Sequence, residues 1–323
     1  MRSSHDISWR RLASLVTVLG LGLSACAPST KADEVRYTPP PALSLVALVD
    51  PSTGKIADEL HQLQDVIRTS ATPGEAVVVM ILQPSFGSSY TVRPGDSLDK
   101  IAKAHDLSLA ALEAANPQLG PLSGRNWRLI HPQERVIIPD GAAQEALLLV
   151  TRAPVGPPPP MLIRLPPAPH NPTDFQRAQY NHKVAADTAT NDARVAAWKA
   201  EAQAGLGQWQ AQVVDELGKK VGSVGPGAPT PDRQMLSASL TAGLTTLSGL
   251  NGRRTLLLLG GGELGPVTLT PNSLQDVNLV IANLSNSNAA AAWTAAASGA
   301  GAASVKALDV ALTRLQLTQV VNH

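Results

Sequence analysis

The sequence Tyr90-Thr-Val-Arg-Pro-Gly-Asp-Ser-Leu98 opens a segment that continues to Pro139. Tyr90 and Val92 alternate along the chain, which is typical of a short strand that turns both side chains to one face. The proline–glycine pair at positions 94–95 ends that strand. Asp96 or Ser97 can then cap a helix, since their side-chain oxygens accept hydrogen bonds from its first free N–H groups.

The rest of the segment adds a second helix and a returning strand. An apolar stripe at helical spacing begins at Leu98, and Ser108 can cap the helix that follows. Asn116-Pro117 ends this second helix, because proline cannot continue it and disfavours helix in the residue before it. Val136 and Ile138 lie two positions apart, as Tyr90 and Val92 do, which predicts the returning strand. The segment therefore predicts a small strand–helix–helix–strand unit.

This order of residues resembles a LysM module, a βααβ unit that binds N-acetylglucosamine-containing glycans such as peptidoglycan and chitin. In that family the sugar lies in a shallow groove between the first strand–helix loop and the loop before the last strand. The resemblance implies eight glycan-binding residues: Gly95, Asp96, Ser97 and Leu98 in the first loop, and Asn116, Pro117, Ile130 and His131 in the second. The implied partner is peptidoglycan or another N-acetylglucosamine polymer.

One part of the segment departs from the family pattern. Family members usually read Tyr-Pro-Gly-Gln before the last strand, whereas residues 131–134 here read His-Pro-Gln-Glu. We expect the lost glycine to alter this turn, and Glu134 adds a charge near the rim of the groove. The second loop, which includes residues 118–128, is also long. The sequence therefore identifies the module more firmly than it predicts the affinity of this module for glycan.

The first 26 residues indicate export and lipid attachment. Arg10 and Arg11 precede a short apolar run at 12–23, which is too short to span a membrane comfortably. Residues 23–26 read Leu-Ser-Ala-Cys and resemble a lipobox. We expect a signal peptide at 1–25, a covalent lipid on Cys26 and a flexible tether over 26–41. An ordinary signal peptide, or an uncleaved anchor with an incidental cysteine, is the alternative.

The expected mature chain is nearly neutral. The whole sequence has 26 Lys and Arg and 25 Asp and Glu. Removal of residues 1–25 takes away three arginines and one aspartate, which leaves 23 basic and 24 acidic residues. Such a balance argues against nucleic-acid binding and strong electrostatic attraction to membranes. The lipid therefore carries the membrane contact, and the expected location is the bacterial cell envelope, facing the periplasm or the wall.

The remaining chain alternates apolar runs with helical patterns, which predicts an α/β domain with a Rossmann-like sheet. Predicted strands fall at 43–49, 76–82, 145–151, 255–259 and 277–281, and predicted helices at 56–67, 174–221, 232–247, 288–297 and 308–317. The domain would be discontinuous, built from residues 42–83 and 143–320. The LysM-like unit at 88–140 would be inserted in an exposed loop, where few contacts are cut.

This host domain weakly resembles a von Willebrand factor A-like domain. In that family the first strand ends in Asp-x-Ser-x-Ser, whereas here it ends in Asp50-Pro-Ser52-Thr-Gly54. A later strand should end in Thr-Asp-Gly, but residues 260–263 read Gly-Gly-Gly-Glu, which predicts a tight turn. Mg²⁺ needs several oxygen ligands, and only Asp50 and Ser52 are candidates. We therefore expect a turn and helix cap without a metal. A metal-dependent adhesion or sensor protein is the alternative.

A proline-rich stretch and a long helix follow the module. Residues 153–172 contain nine prolines, which predicts an extended polyproline segment that serves as a spacer or, as the alternative, a docking strip. The helix predicted at 174–221 carries an apolar stripe that includes Trp198, Leu206 and Trp209. The favoured interpretation is that this helix packs on the domain. The alternative is that it protrudes and recruits a protein partner.

The sequence shows no enzymatic signature. Its only cysteine is the lipid site, and its seven histidines form neither His-x-His nor His-Glu-x-x-His. A glycosidase carboxylate pair leaves no sequence signature of this kind, so a cryptic wall hydrolase stays an alternative. We predict a lipid-anchored envelope protein, not an enzyme, that binds peptidoglycan and uses its α/β domain for scaffolding or protein interaction.

Overall fold

We describe the fold from a computed structural model of the chain. It describes residues 33–51, 55–140, 146–221, 230–309, 313, 316–317 and 319–321. Cys26, Ser52 and the signal peptide predicted at 1–25 lie outside these residues. Across the described ranges, no helix combines the length and the apolar character that crossing a membrane requires.

A six-stranded sheet forms the centre of the molecule. In chain order its strands are β2 (Leu43–Val49), β3 (Ala76–Ile81), β6 (Leu147–Arg152), β8 (Arg253–Leu258), β9 (Val277–Leu284) and β10 (Ser304–Asp309). Their spatial order is β10-β9-β8-β2-β3-β6. Neighbouring strands run parallel except at one edge, where β6 is antiparallel to β3. The predicted α/β class is confirmed, and the central sheet is mostly parallel.

Helices cover both faces of this sheet. Along β2 every residue is buried, and alternate side chains enter two separate cores, as a central strand in a three-layer domain requires. One face carries α1 (Lys55–Ser70) and part of α4 (Asp174–Val221). The other face carries α5 (Arg233–Ser248) and α6 (Ser287–Gly299).

The C-terminal part of the sheet differs from the sequence prediction. A helix was expected at 308–317, but residues 304–309 form β10, which pairs in parallel with β9. Val305 and Ala307 contact one core and Leu308 the other, so the side chains alternate as in a strand. The predicted helix therefore begins too early, because residues 308–309 still belong to β10. The described residues 313, 316–317 and 319–321 are helical.

The LysM-like segment leaves and re-enters the sheet through neighbouring strands. It contains β4 (Ser88–Thr91), α2 (Leu98–Ala104), α3 (Leu109–Ala115) and β5 (Arg135–Ile138). The flanking strands β3 and β6 pair with each other, with Val78 opposite Val150. At the base of the segment a Cβ on Gly87 would lie 1.9 Å from the Ile138 carbonyl oxygen, and its φ is +92°. A side chain at position 87 would collide with the backbone of the segment that returns to the sheet, so glycine is needed here.

The long helix α4 has a packed half and a projecting half. With 48 residues it is about 72 Å long at 1.5 Å per residue. Leu206, Trp209 and Val213 in its C-terminal half are buried in the core beside α1. In its N-terminal half Phe175 is 71% exposed. The C-terminal half thus packs on the domain, as the favoured interpretation predicts, and recruitment of a partner by the projecting half stays a prediction.

The proline-rich stretch 153–172, called the strap below, runs along the projecting half of α4. Trp198 donates its indole N–H to the Pro157 carbonyl at 2.8 Å, and the Tyr180 hydroxyl donates to the Pro166 carbonyl at 3.3 Å. Within the strap β7 (Met161–Ile163) pairs antiparallel with β1 (Glu34–Arg36). The strap is therefore held along a helix rather than spanning open solvent.

Candidate functional site

The inserted segment is a small unit with its own core. Strands β4 and β5 form an antiparallel pair in which Tyr90 lies opposite Val136. Its core contains apolar residues expected from the sequence, together with Leu119, which was not predicted: Val92, Leu98, Ile101, Ala102, Leu112, Leu119, Val136 and Ile138. Ser97 and Ser108 cap the two helices, each accepting a hydrogen bond from the backbone N–H three residues later. Two loops project from one end of this scaffold.

The first loop, residues 93–97, is held by Asp96. Its carboxylate accepts hydrogen bonds from the Arg93 backbone N–H at 2.7 Å and from the Tyr90 hydroxyl at 2.9 Å. These two bonds, the backbone one first, hold the pKa of Asp96 below its ordinary value. The same carboxylate raises the pKa of the Tyr90 hydroxyl. Gly95 has φ +87°, and a Cβ added there would meet no heavy atom within 4 Å, so this loop presents an open surface.

The second loop ends in the turn where the family glycine is missing. The Glu134 N–H donates to the His131 carbonyl at 3.1 Å, and Gln133 takes a φ of +75°. Proline at the second position and a positive φ at the third are the features of a type II turn. At the position of the family glycine, Gln133 thus takes a positive φ that glycine adopts without steric cost.

Glu134 is part of an internal network rather than a free charge at the rim. Its carboxylate accepts from the His131 backbone N–H at 2.8 Å and pairs with the Arg125 guanidinium at 2.5 Å. Both side chains of this ion pair are less than a quarter exposed. Nothing in the sequence indicated this pairing, because the two residues are nine positions apart in an irregular loop.

The two loops meet through Val92. Its carbonyl accepts from the Gln133 N–H at 2.9 Å, and its N–H donates to the Glu134 carbonyl at 2.8 Å. The first loop follows the end of β4 and the turn precedes the start of β5, so both lie at the same end of the strand pair. Gly95, Asp96, Ser97, Ile130 and His131 of the predicted set lie on or beside these loops and are at least partly exposed.

The other three predicted residues are buried. Asn116 is fully buried, and its amide donates to the carbonyls of Leu112 and Ile137 and accepts from the Ile137 N–H. Ile137 lies opposite Ser89, near the base of the module and away from Gly95. Pro117 is buried next to Asn116, and Leu98 is 4% exposed in the module core. We therefore remove Asn116, Pro117 and the Leu98 side chain from the predicted contact surface.

The candidate metal position in the host domain is closely packed. The Asp50 N–H donates to the buried Glu59 carboxylate at 3.1 Å. A Cβ on Gly260, in the glycine turn after β8, would lie 2.1 Å from the Asp50 Cβ. Among the described residues no group of three or more His, Cys, Asp or Glu side chains could hold a metal ion. Asp50 thus lies at a crowded strand end, and Ser52 lies outside the described residues.

Comparison with known proteins agrees with the geometry of the inserted unit. The model of the LysM domain family matches residues 90–139. No solved structure matches the chain. LysM domains bind peptidoglycan and other N-acetylglucosamine polymers. The inserted segment, residues 90–139, is a LysM domain, and the protein therefore carries a carbohydrate-binding module.

Proposed function

We propose that this protein is a lipid-anchored envelope protein that holds peptidoglycan through its LysM domain. The observation that carries the proposal is the family match over residues 90–139 together with two exposed loops joined through Val92. Gly95 leaves open space at the first loop, and the His131 side chain is exposed at the second. Small side chains and backbone groups suit the hydroxyl and acetamido groups of an amino sugar, which need both donors and acceptors.

A sedimentation assay with purified sacculi tests the glycan contact. The double variant Ile130→Ala and His131→Ala removes two side chains at the loops. We expect it to weaken the affinity for sacculi by about tenfold, equivalent to about 1.4 kcal/mol. The matched control is Lys103→Ala with Leu109→Ala, two exposed changes away from these loops. Wild-type protein that stays in the supernatant would overturn the proposed function.

We further propose that Cys26 carries the lipid. The tether expected at 26–41 is not flexible throughout, because its residues 34–36 form β1, which pairs with β7 of the strap beside α4. Arg194 on that helix pairs with Glu34 at 3.0 Å. A lipid eight positions before Glu34 would hold the membrane near this half of the helix. Fatty-acid labelling in cells should be lost in Cys26→Ser, and equal labelling of the variant would refute the assignment.

The host domain is proposed as a von Willebrand factor A-like scaffold for protein interaction. Numbered along the chain, its strands lie in the order 6-5-4-1-2-3, the doubly wound order, with the third strand reversed. This order supports the resemblance seen at Asp50. We propose that the scaffold works without a bound metal, since Asp50 is packed against Gly260. Heat released on titration of Mg²⁺ into wild type, and its loss in Asp50→Ala, would contradict this.

We propose that the protein binds the wall without cleaving it. Support comes from the described residues, in which no cluster of metal-ligating side chains occurs, and from the absence of nucleophile motifs in the sequence. Incubation with sacculi should release no muropeptides at any pH or with any divalent metal. Soluble muropeptides above a heat-inactivated control would identify the protein as a hydrolase instead.

A further inference from the structure

A cleft lies between the LysM domain and the host domain. Its volume is about 670 Å³, within the range of ligand-binding sites. One wall is the LysM turn, residues 132–135. The opposite walls are helix α5 and residues 267–273 of the host loop. Neither domain alone forms this cleft.

Two buried polar atoms lie at this cleft without a partner. The described residues offer no hydrogen-bond partner to the Gln118 side-chain oxygen or to the Ser273 hydroxyl, and both residues line the cleft. Gln118 is only 1% exposed, and its amide nitrogen donates to the Asn116 side chain at 3.1 Å. A Cβ on Gly249 would lie 2.6 Å from the Gln118 Cγ, so close packing fixes this side chain. An unsatisfied buried acceptor costs free energy that a ligand donor could restore.

The chemistry of the walls favours a neutral ligand rich in hydroxyl groups. Among the described lining residues only Glu134 and Arg135 are charged, and Glu134 is paired with Arg125. The Thr245 and Ser248 hydroxyls donate to helix carbonyls and keep lone pairs that can accept hydrogen bonds. Half-buried leucines and a valine of α5 and the host loop provide apolar surface between these groups.

The cleft is continuous with the loops of the LysM domain. The turn that begins at His131 and bonds to Val92 also contributes Gln133 and Glu134 to the cleft wall. A linear polymer that passes over His131 would therefore meet the cleft next. We propose that the cleft is a second subsite, made jointly with the host domain, for a neutral N-acetylhexosamine oligosaccharide that extends from the LysM groove. This inference rests on the proposed glycan binding and adds a dependence on chain length.

Calorimetry with a disaccharide and a hexasaccharide of N-acetylglucosamine tests this subsite. The variant Ser248→Trp places a bulky ring in the cleft from an exposed position at the end of α5. The matched control Thr69→Trp changes another exposed hydroxyl residue in the last turn of a helix, on the other face of the sheet. Ser273→Ala removes one unpartnered hydroxyl, and little loss of stability is expected.

We expect the hexasaccharide to bind wild type at least about tenfold more tightly than the disaccharide. Ser248→Trp should abolish this gain and leave disaccharide binding unchanged, whereas Thr69→Trp should keep it. Ser273→Ala should reduce it in part. Equal affinity for both sugars in wild type, or a gain that survives in Ser248→Trp, would overturn the subsite while leaving the LysM groove intact. Failure of both sugars to bind would overturn the subsite and the proposed function together.

Discussion

Gln133 shows how a single residue can keep a turn without the usual glycine. Its φ of +75° lies in the left-handed region, which costs a residue with a Cβ about 1 kcal/mol or more. Three hydrogen bonds fix the turn around it, from Gln133 to Val92, from Val92 to Glu134 and from Glu134 to His131. The fold therefore supports a locally unfavourable conformation at this position.

Replacement of this residue should stabilise the protein. We expect Gln133→Gly to raise the free energy of unfolding by about 1 kcal/mol, because the left-handed backbone no longer strains a side chain. Urea denaturation of the mature chain, followed by a probe in the LysM domain, measures the change. The control is Asp106→Gly, where φ is 55° but aspartate tolerates this region better, so the gain should be smaller. A loss of stability in Gln133→Gly would contradict the argument.

Glu75 is a buried acid that makes stability depend on pH. Its side chain is fully buried at the start of β3, and one oxygen accepts from the Thr72 N–H at 2.8 Å. The described residues offer its other oxygen no hydrogen-bond partner. Burial raises the pKa of Glu75 to about 7, against the smaller opposite effect of that hydrogen bond. The folded protein thus binds this proton more tightly than the unfolded chain does.

The sign of the pH effect follows from this raised pKa. Glu75 contributes most to stability below its unfolded pKa of 4.5, and the contribution is lost as pH rises through about 7. Glu75→Gln should remove this loss and be more stable than wild type at pH 8, by at most roughly 3 kcal/mol. Denaturation curves at several pH values test this. Glu201→Gln, on the exposed face of α4, should keep the wild-type pH dependence.

At the scale of elements, the projecting half of α4 and the strap form a stalk outside the host core, whereas the C-terminal half of α4 is part of that core. Trp209 is 7% exposed and donates its indole N–H to the Thr151 hydroxyl at 2.9 Å. Trp198, eleven residues earlier, is only half-buried and holds the strap through Pro157 and an edge-to-face contact with Tyr37 at 5.6 Å. One tryptophan therefore packs α4 into the host core, and the other holds the strap against the projecting half of α4.

Two tryptophan variants separate these roles. Trp198→Ala should free the strap, so that hydrogen exchange and protease cleavage rise over residues 157–163 while the Tm of the host changes little. Trp209→Ala should leave a cavity in the core and lower the free energy of unfolding by about 3–5 kcal/mol. A large fall in Tm for Trp198→Ala would show that the stalk and the core unfold together.

At the scale of the whole molecule, the LysM domain is both an insertion and part of the host surface. Phe86, Leu122 and Ile137 from the inserted segment and its entrance are buried with the host residues on one side of the sheet. The pairing of β3 with β6 nevertheless closes the host sheet without the insert. The insert therefore adds buried apolar contacts to a host whose sheet does not depend on it.

Deletion of residues 88–140, with a short glycine–serine turn that joins β3 to β6, should leave a folded host. We expect a lower Tm, with a loss of several kcal/mol, because the deletion uncovers apolar surface on α5. Circular dichroism should retain a cooperative unfolding transition, and binding to sacculi should be lost. A deletion variant that binds sacculi as wild type does would place the glycan site in the host domain.

Short-range patterns in the sequence predicted the helices and strands that form through interactions between residues close along the chain. The βααβ order at 90–139 follows from capping serines, apolar spacing and proline–glycine breaks, each of which acts within a few residues. The apolar runs that form β2, β3, β8 and β9 were predicted for the same reason, since strands buried on both faces are almost continuously apolar. The strand β10 was missed because the spacing of apolar residues there fits both the two-residue period of a strand and the 3.6-residue period of a helix.

Only the tertiary structure decided which of these residues face solvent and which face each other. Asn116 looked like a loop residue, but packing against Ile137 turns its amide inward. The Arg125–Glu134 pair spans nine positions of an irregular loop, and the cleft between Gln118, Ser273 and α5 joins residues from distant parts of the chain. The spacing of apolar residues gives information only about residues that are close along the chain, so it could not predict these contacts. The sequence alone therefore determined the LysM domain, and the folding of the host against it decided the surface that a glycan can reach.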